Sequence, residues 1–310
     1  MYSFNKFISA IVITAFALST SVFAQEEVEV NFVKIAEGLQ FPEGPAWDGH
    51  GNLYISNCYG NWITRINNDV ADTFVVAPTS PIAFEKTNGL TVFHDKSIYA
   101  CDYGLGAILK FSPKGECTIY ASGFNGEKFN RPNDLAFDWK RNLYFTDPKS
   151  YGKDILDGRI FRVDYMTKEV SLVYEGLAFP NGIAFSPDGE FLYVSESAKE
   201  RILVFLVKED GTLSEPKVLA ELPSGDPDGL AIDGYGNIYA AHFGGGAIFV
   251  IRPNGELIYK IKTPGKKPSN LEFAGEDLSE LYITEDETNC VYKVKLPNRG
   301  LRLFSAPGIE

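Results

Sequence analysis

Leu53-Tyr54-Ile55-Ser56-Asn57 is a five-residue run of apolar, Tyr, apolar, small and polar character, and the chain returns to it five times. It recurs as Ile98-Tyr99-Ala100-Cys101-Asp102, Leu143-Tyr144-Phe145-Thr146-Asp147, Leu192-Tyr193-Val194-Ser195-Glu196, Ile238-Tyr239-Ala240-Ala241-His242 and Leu281-Tyr282-Ile283-Thr284-Glu285. The tyrosines are spaced by 45, 45, 49, 46 and 43 residues. A short aromatic and apolar run of this length reads as a buried strand, and a fixed period of this size marks an array of like units. A turn such as Asp188-Gly189 or Gly236-Asn237 precedes the strand. A second strand follows it, at Ile63–Ile66, Ala107–Phe111, Arg159–Val163, Ile202–Val207, Ala247–Ile251 and Val291–Val294. Pro113-Lys114-Gly115 or Pro253-Asn254-Gly255 then turns into a third, Cys117–Ala121 or Leu257–Ile261. With the strand upstream of each Tyr, every period holds four short antiparallel strands. The expected fold is all-β, a six-bladed β-propeller in one domain over residues 25–310. Val30–Ala36 is expected to complete the last blade, because Ala36-Glu37-Gly38-Leu39 echoes Tyr174-Glu175-Gly176-Leu177; Leu301–Phe304 competes for that place.

Composition bounds the function. The 310 residues are 45% hydrophobic and 23% charged, which suits a globular protein and excludes a disordered chain or a polytopic membrane protein. A net charge of −12 argues against nucleic-acid binding. Residues 1–24 have the layout of a secretory signal peptide: one cation (Lys6), the apolar run Phe7–Leu18, and Val22-Phe23-Ala24 at the cut. The protein is therefore expected outside the cytoplasm, secreted or periplasmic, without a stable membrane anchor, and as a monomer. Cys58, Cys101, Cys117 and Cys290 have irregular spacing and read first as small buried strand residues.

Eleven to thirteen residues before each Tyr stands a polar residue that opens the innermost strand of its blade. These are Glu43, Asn88, Asn133, Asn181, Asp228 and Ser269, often within Pro-x-Gly. All six are expected to face one another across one mouth of the axial channel. Carboxylate and amide oxygens without sulfur or imidazole suit a hard divalent cation, Ca²⁺ first, with Mg²⁺, Mn²⁺ or Zn²⁺ behind it. A second polar set, Asn57, Asp102, Asp147, Glu196, His242 and Glu285, follows the tyrosines and is expected toward the opposite end of the strands. From these sets, Asn88, Asp147 and His242 are further candidates for the site. There is no Gly-x-Ser-x-Gly elbow, His-Glu-x-x-His, phosphate loop or dinucleotide fingerprint.

The motifs Phe41-Pro42-Glu43-Gly44-Pro45, Arg131-Pro132-Asn133-Asp134-Leu135, Pro180-Asn181-Gly182-Ile183 and Pro227-Asp228-Gly229-Leu230 stand in order along the chain. With Tyr144-Phe145-Thr146-Asp147-Pro148, they make the sequence resemble the senescence marker protein/gluconolactonase family, which includes regucalcin and bacterial sugar lactonases. The resemblance implies a six-bladed propeller with one catalytic divalent cation on the axis, held by Glu43, Asn181 and Asp228. It implies that Arg131 and Asn133 bind substrate, and that a sugar lactone is the small molecule opened. The family's further acidic substrate contact falls near Tyr151, which is no acid. On this reading Asp228 is the general base for water attacking the polarised carbonyl. The alternatives are a calcium-dependent phosphotriesterase of the diisopropyl-fluorophosphatase type and a non-catalytic secreted propeller that binds a ligand.

Overall fold

The structure is a computed structural model that describes residues 27–77 and 82–305. The expected signal peptide lies outside the described residues. Six antiparallel sheets of four main strands form the blades. Blade 1 runs Pro42–Trp47, Asn52–Asn57, Trp62–Asn67 and Val70–Val76, from the axis outward, and the next four blades repeat the pattern in chain order. Blade 6 contains Pro268–Ala274, Glu280–Glu285 and Cys290–Lys295, and its outermost strand is Val33–Ala36 from the other end of the chain. Val33 pairs with Lys293 and Ala36 with Val291, so the ring is closed by hydrogen bonds between its two ends, as the sequence led one to expect. Glu27–Val28 adds a short parallel strand outside blade 5.

Leu301–Phe304 does not compete for the closing position. Leu301 N donates to Ile232 O at 2.8 Å, and Leu301, Leu303 and Phe304 close the far end of the axial channel over a small cavity of about 60 Å³. Thr91 and Ser305 meet there through their hydroxyls, 3.2 Å apart.

The repeated tyrosines explain why the period is so regular. Six apolar clusters fill the wedges between neighbouring blades, and each holds one of Tyr54, Tyr99, Tyr144, Tyr193, Tyr239 and Tyr282. Burial of an aromatic ring of this size is among the larger single contributions to each cluster. The four cysteines are all buried, and no disulfide links them.

At the axis the problem is the reverse, too little room. In blades 1, 2, 4 and 5 the innermost strand bulges at the polar-Gly pair, between Glu43 and Ala46, Thr87 and Leu90, Pro180 and Ile183, and Pro227 and Leu230. A bulge re-aims a side chain and bends the strand. The glycine beside each polar residue then lies against the next blade's backbone: a Cβ on Gly44 would overlap Asn88 O, and one on Gly182 would overlap Asp228 O. Glycine therefore sets how tightly the inner strands can converge. Gly182→Ala is expected to lower stability by about 1–3 kcal/mol through overpacking, read as a fall of several degrees in the thermal midpoint; an unchanged midpoint would show that the axis has slack.

Candidate functional site

The convergence of the six strand starts produces a cavity of about 220 Å³ at one mouth of the channel. Glu43, Asn88, Asn133, Asn181 and Asp228 all line it, from five different blades. Ser269, the sixth member of the expected ring, does not. Its hydroxyl donates to Pro42 O at 2.8 Å and meets Thr284 Oγ1 at 2.9 Å, which ties blade 6 to blade 1. The same kind of tie recurs where Thr146 Oγ1 donates to Asn181 O and Ser195 Oγ to Asp228 O, both at 2.7 Å. The backbones of two floor residues are thus fixed from the preceding blade.

The second polar set lies at the same end as the first, not the opposite one. Antiparallel pairing decides this: Asn57 stands opposite Pro42, Asp102 opposite Thr87, Glu196 opposite Pro180, His242 opposite Pro227 and Glu285 opposite Pro268. These side chains point into the loop that feeds the innermost strand. Asn57 accepts from Gln40 N, Asp102 from Glu85 N, Asp147 from Asn130 N and Arg131 N, Glu196 from Ala178 N, and Glu285 from Lys267 N, at 2.7–3.1 Å. Asp147 does not line the cavity; it is fully buried, pairs with Arg159 at 2.8 Å, and holds the Arg131 backbone in place. His242 also lies outside the lining, with Nε2 2.8 Å from Leu222 O and its ring against Phe249. Burial lowers its pKa.

Electrostatics at the floor are unfavourable. Burial and the charge of Asp134 push the Glu43 carboxyl up. Burial and the charges of Glu43 and Asp286 push Asp228 well above the usual carboxylate range. Asp286 is raised by burial and by Glu43, and neither of its carboxylate oxygens has a hydrogen-bond partner. Three oxygens of the cavity lining are likewise buried without partners, Asn88 Oδ1, Asn133 Oδ1 and Asp228 Oδ1. Buried polar atoms are nearly always paired, so a group of orphans in one cavity is a place for something else to bind. The donor set is oxygen only, and Glu43 and Asp228 balance a double positive charge, which fits a hard divalent cation. Among the described residues no three His, Cys, Asp or Glu groups gather as a metal-holding cluster; the amides Asn88, Asn133 and Asn181 line the cavity beside the two carboxylates.

Above the floor the walls are aromatic. Phe41, Tyr59 and Phe243 stand together, with ring centroids 4.4 Å and 6.2 Å apart. Tyr151 and Phe179 face each other at 5.3 Å, and Arg131 and Tyr103 complete the lining. The Tyr151 hydroxyl donates to the Asp226 carboxylate, 2.9 Å from Oδ1 and 3.0 Å from Oδ2. So a carboxylate does stand beside Tyr151, but it comes from blade 5. Sequence reasoning missed Asp226, Asp286 and the aromatic wall. The signal was present as two further columns of the repeat. Phe41, Arg131, Phe179 and Asp226 each lie two residues before a ring residue; Cys58, Tyr103, Pro148, Ser197 and Phe243 each lie four after a repeat Tyr, as Asp286 does.

The description "SMP-30/Gluconolactonase/LRE-like region" matches residues 41–286. A gluconolactonase of Zymomonas mobilis is 32% identical over 280 residues, covering 81% of this chain and 77% of that protein. The diisopropyl-fluorophosphatase of Loligo vulgaris is 26% identical over 304 residues, 89% of this chain and 96% of its own length. Among solved structures, a gluconolactonase of Xanthomonas campestris superimposes with a TM-score of 0.76 at 26% identity, covering 86% of this chain and 90% of that one. A calcium-binding protein, regucalcin, of Agrobacterium tumefaciens shares the fold, with a TM-score of 0.77 at 18% identity, 92% of this chain and 99% of that one. Five strand starts converging on a common oxygen-lined floor, and a family match that spans nearly all of the ring, lead to one conclusion: the chain belongs to the SMP-30/gluconolactonase/LRE-like family.

Proposed function

We propose that the protein is a lactonase that opens a sugar lactone with the help of one divalent cation, Ca²⁺ first among the candidates. The observation that carries this reading is the group of buried, partnerless oxygens and mutually repelling carboxylates at the floor of a walled cavity. Glu43, Asn181 and Asp228 would hold the cation, with Asn88 and Asn133 beside them; when bound, it supplies Lewis-acid polarisation of the lactone carbonyl. Asp228 keeps one oxygen, Oδ1, free of protein partners and is the general base. It takes a proton from the attacking water as the new carbon–oxygen bond forms. As the ring carbon–oxygen bond breaks, the same carboxyl returns that proton to the departing ring oxygen, leaving a hydroxy acid. Arg131 and Asn133 orient the substrate from blade 3, and the aromatic walls hold its ring and exclude bulk water. Export and a monomeric state are part of the same proposal, the first resting on the signal-peptide layout read in the sequence of residues 1–24.

The phosphotriesterase reading has specific support in the similarity to the Loligo enzyme over nearly its whole length. Rates on glucono-lactones and on diisopropyl fluorophosphate, measured side by side, should favour the lactones; the opposite ranking would transfer the assignment. Asp228→Asn should keep its fold and lose about 10²–10⁴-fold in kcat, and wild-type turnover in the folded variant would remove Asp228 as the base. Chelation should abolish turnover and added Ca²⁺ restore it. Saturation at about 100 times the dissociation constant should stabilise the fold by about 2.7 kcal/mol, seen as a higher thermal midpoint that Glu43→Gln loses. Full activity after exhaustive chelation would contradict the cation's role.

A further inference from the structure

The residues two positions before the ring form a rim around the mouth, in blade order Phe41, Lys86, Arg131, Phe179, Asp226 and Lys267. Three of the six are cations in a protein of net charge −12. They occupy an arc from blade 6 past blade 1 to blades 2 and 3, while Asp226 stands in blade 5 and is held by Tyr151. None of the three cations forms an ion pair among the described residues, whereas Arg159, Arg201 and Lys293 each do. Arg131 lines the cavity itself. Lys86 Nζ lies 5.0 Å from the ring centre of Tyr103, and Lys267 Nζ 5.6 Å from that of Phe243, and both rings line the cavity. Their charges reach inward as well: Lys86 acts on Cys58 and Tyr59, and Lys267 on Asp286.

The three backbones are not free to drift. Lys86 N donates to Asp102 Oδ1 at 3.3 Å, Arg131 N to Asp147 Oδ1 at 2.8 Å and Lys267 N to Glu285 Oε1 at 2.7 Å. Fixed roots, a cavity-lining aromatic beside each lysine and three cations without an ion pair among the described residues give this arc of the rim a positive character suited to an anion. The acids near the mouth do not fill this role. Asp226 stands in blade 5, bound to Tyr151; Glu43 and Asp228 line the floor, where the proposed cation would offset them; and Asp286 is buried near Glu43, outside the lining.

We infer that the substrate is an anionic lactone, whose carboxylate or phosphate substituent is bound at the rim by Lys86, Arg131 and Lys267 while its ring carbonyl reaches the floor. This rests on the lactonase reading and narrows it to a substrate class. Charge-assisted hydrogen bonds from a guanidinium and two ammonium groups recognise either anion.

The test compares D-glucaro-1,4-lactone with D-glucono-1,4-lactone, which differ only in a carboxylate or a hydroxymethyl at C6, and adds 6-phospho-D-glucono-1,5-lactone beside its unphosphorylated parent. The expected result is a kcat/KM at least tenfold higher for one or both anionic partners, with a preference that falls as salt rises. The pair that shows it distinguishes carboxylate from phosphate. In the double variant Lys86→Gln/Lys267→Gln the anionic-to-neutral ratio should fall about tenfold. The products, glucarate against gluconate, should bind the wild type with the same preference in calorimetry. Turnover of neutral lactones with no anionic preference overturns this inference and leaves the lactonase reading standing. A ratio unchanged in the double variant overturns it too. Turnover of none of the four overturns both.

Discussion

The structure depends on a buried acceptor at the end of the second strand in each blade. Asn57, Asp102, Asp147, Glu196 and Glu285 each reach sideways to the loop that enters the innermost strand and accept its backbone N–H groups. Four of these five acceptors are carboxylates and the fifth is the Asn57 amide, and a carboxylate's bond to a backbone N–H, out of water, is strong and directional. It fixes where each inner strand begins, and so where the ring and rim side chains stand. Blade 5 is the variation: His242 meets the Leu222 carbonyl instead, and Gly225 and Gly245 lie so close to the imidazole that a Cβ on either would overlap it. The mouth is therefore positioned by the sheets beneath it, although nearly all its residues lie at strand starts and loops.

The floor runs against stability. Glu43, Asp228 and Asp286 are buried close together: burial raises all three, Asp134 adds to the rise at Glu43, and the charge of Glu43 adds to it at Asp228 and Asp286, while burial pushes Asp134 itself up to about 7. A fold optimised for stability alone would replace such groups with apolar ones of similar volume. Local conflict with the rest of a consistent fold is the expected mark of a functional site. The six Tyr-filled wedges and the closure of the ring by Val33–Ala36 provide the stable frame in which that conflict is tolerated.

Much of this was legible in the chain. The period of the tyrosines carries the blade count because each ring fills a wedge that recurs once per blade, and the Pro-x-Gly pairs mark the axis because only glycine permits the approach there. Five of the six ring residues were recognisable from their register alone. Ser269 was not separable from them, since a serine at a strand start reads the same whether it faces a cavity or a neighbouring carbonyl. The second polar set was assigned to the wrong end because a list of residues after the tyrosines does not show that the strand has reversed direction; pairing Asn57 with Pro42 does. Asp286 and Asp226 were hidden for a different reason. Each differs in type from its equivalents in other blades, so no repeated residue drew attention to a position that is nonetheless the same in space.

The most direct measurement of the central claim is a crystal structure of the protein grown with Ca²⁺, with the ion located by its anomalous scattering. The account predicts one ion on the axis, bound to side-chain oxygens of Glu43, Asn181 and Asp228 at about 2.3–2.6 Å. An axial mouth without an ion at saturating Ca²⁺, or an ion bound elsewhere while these three side chains stay apart, would contradict it.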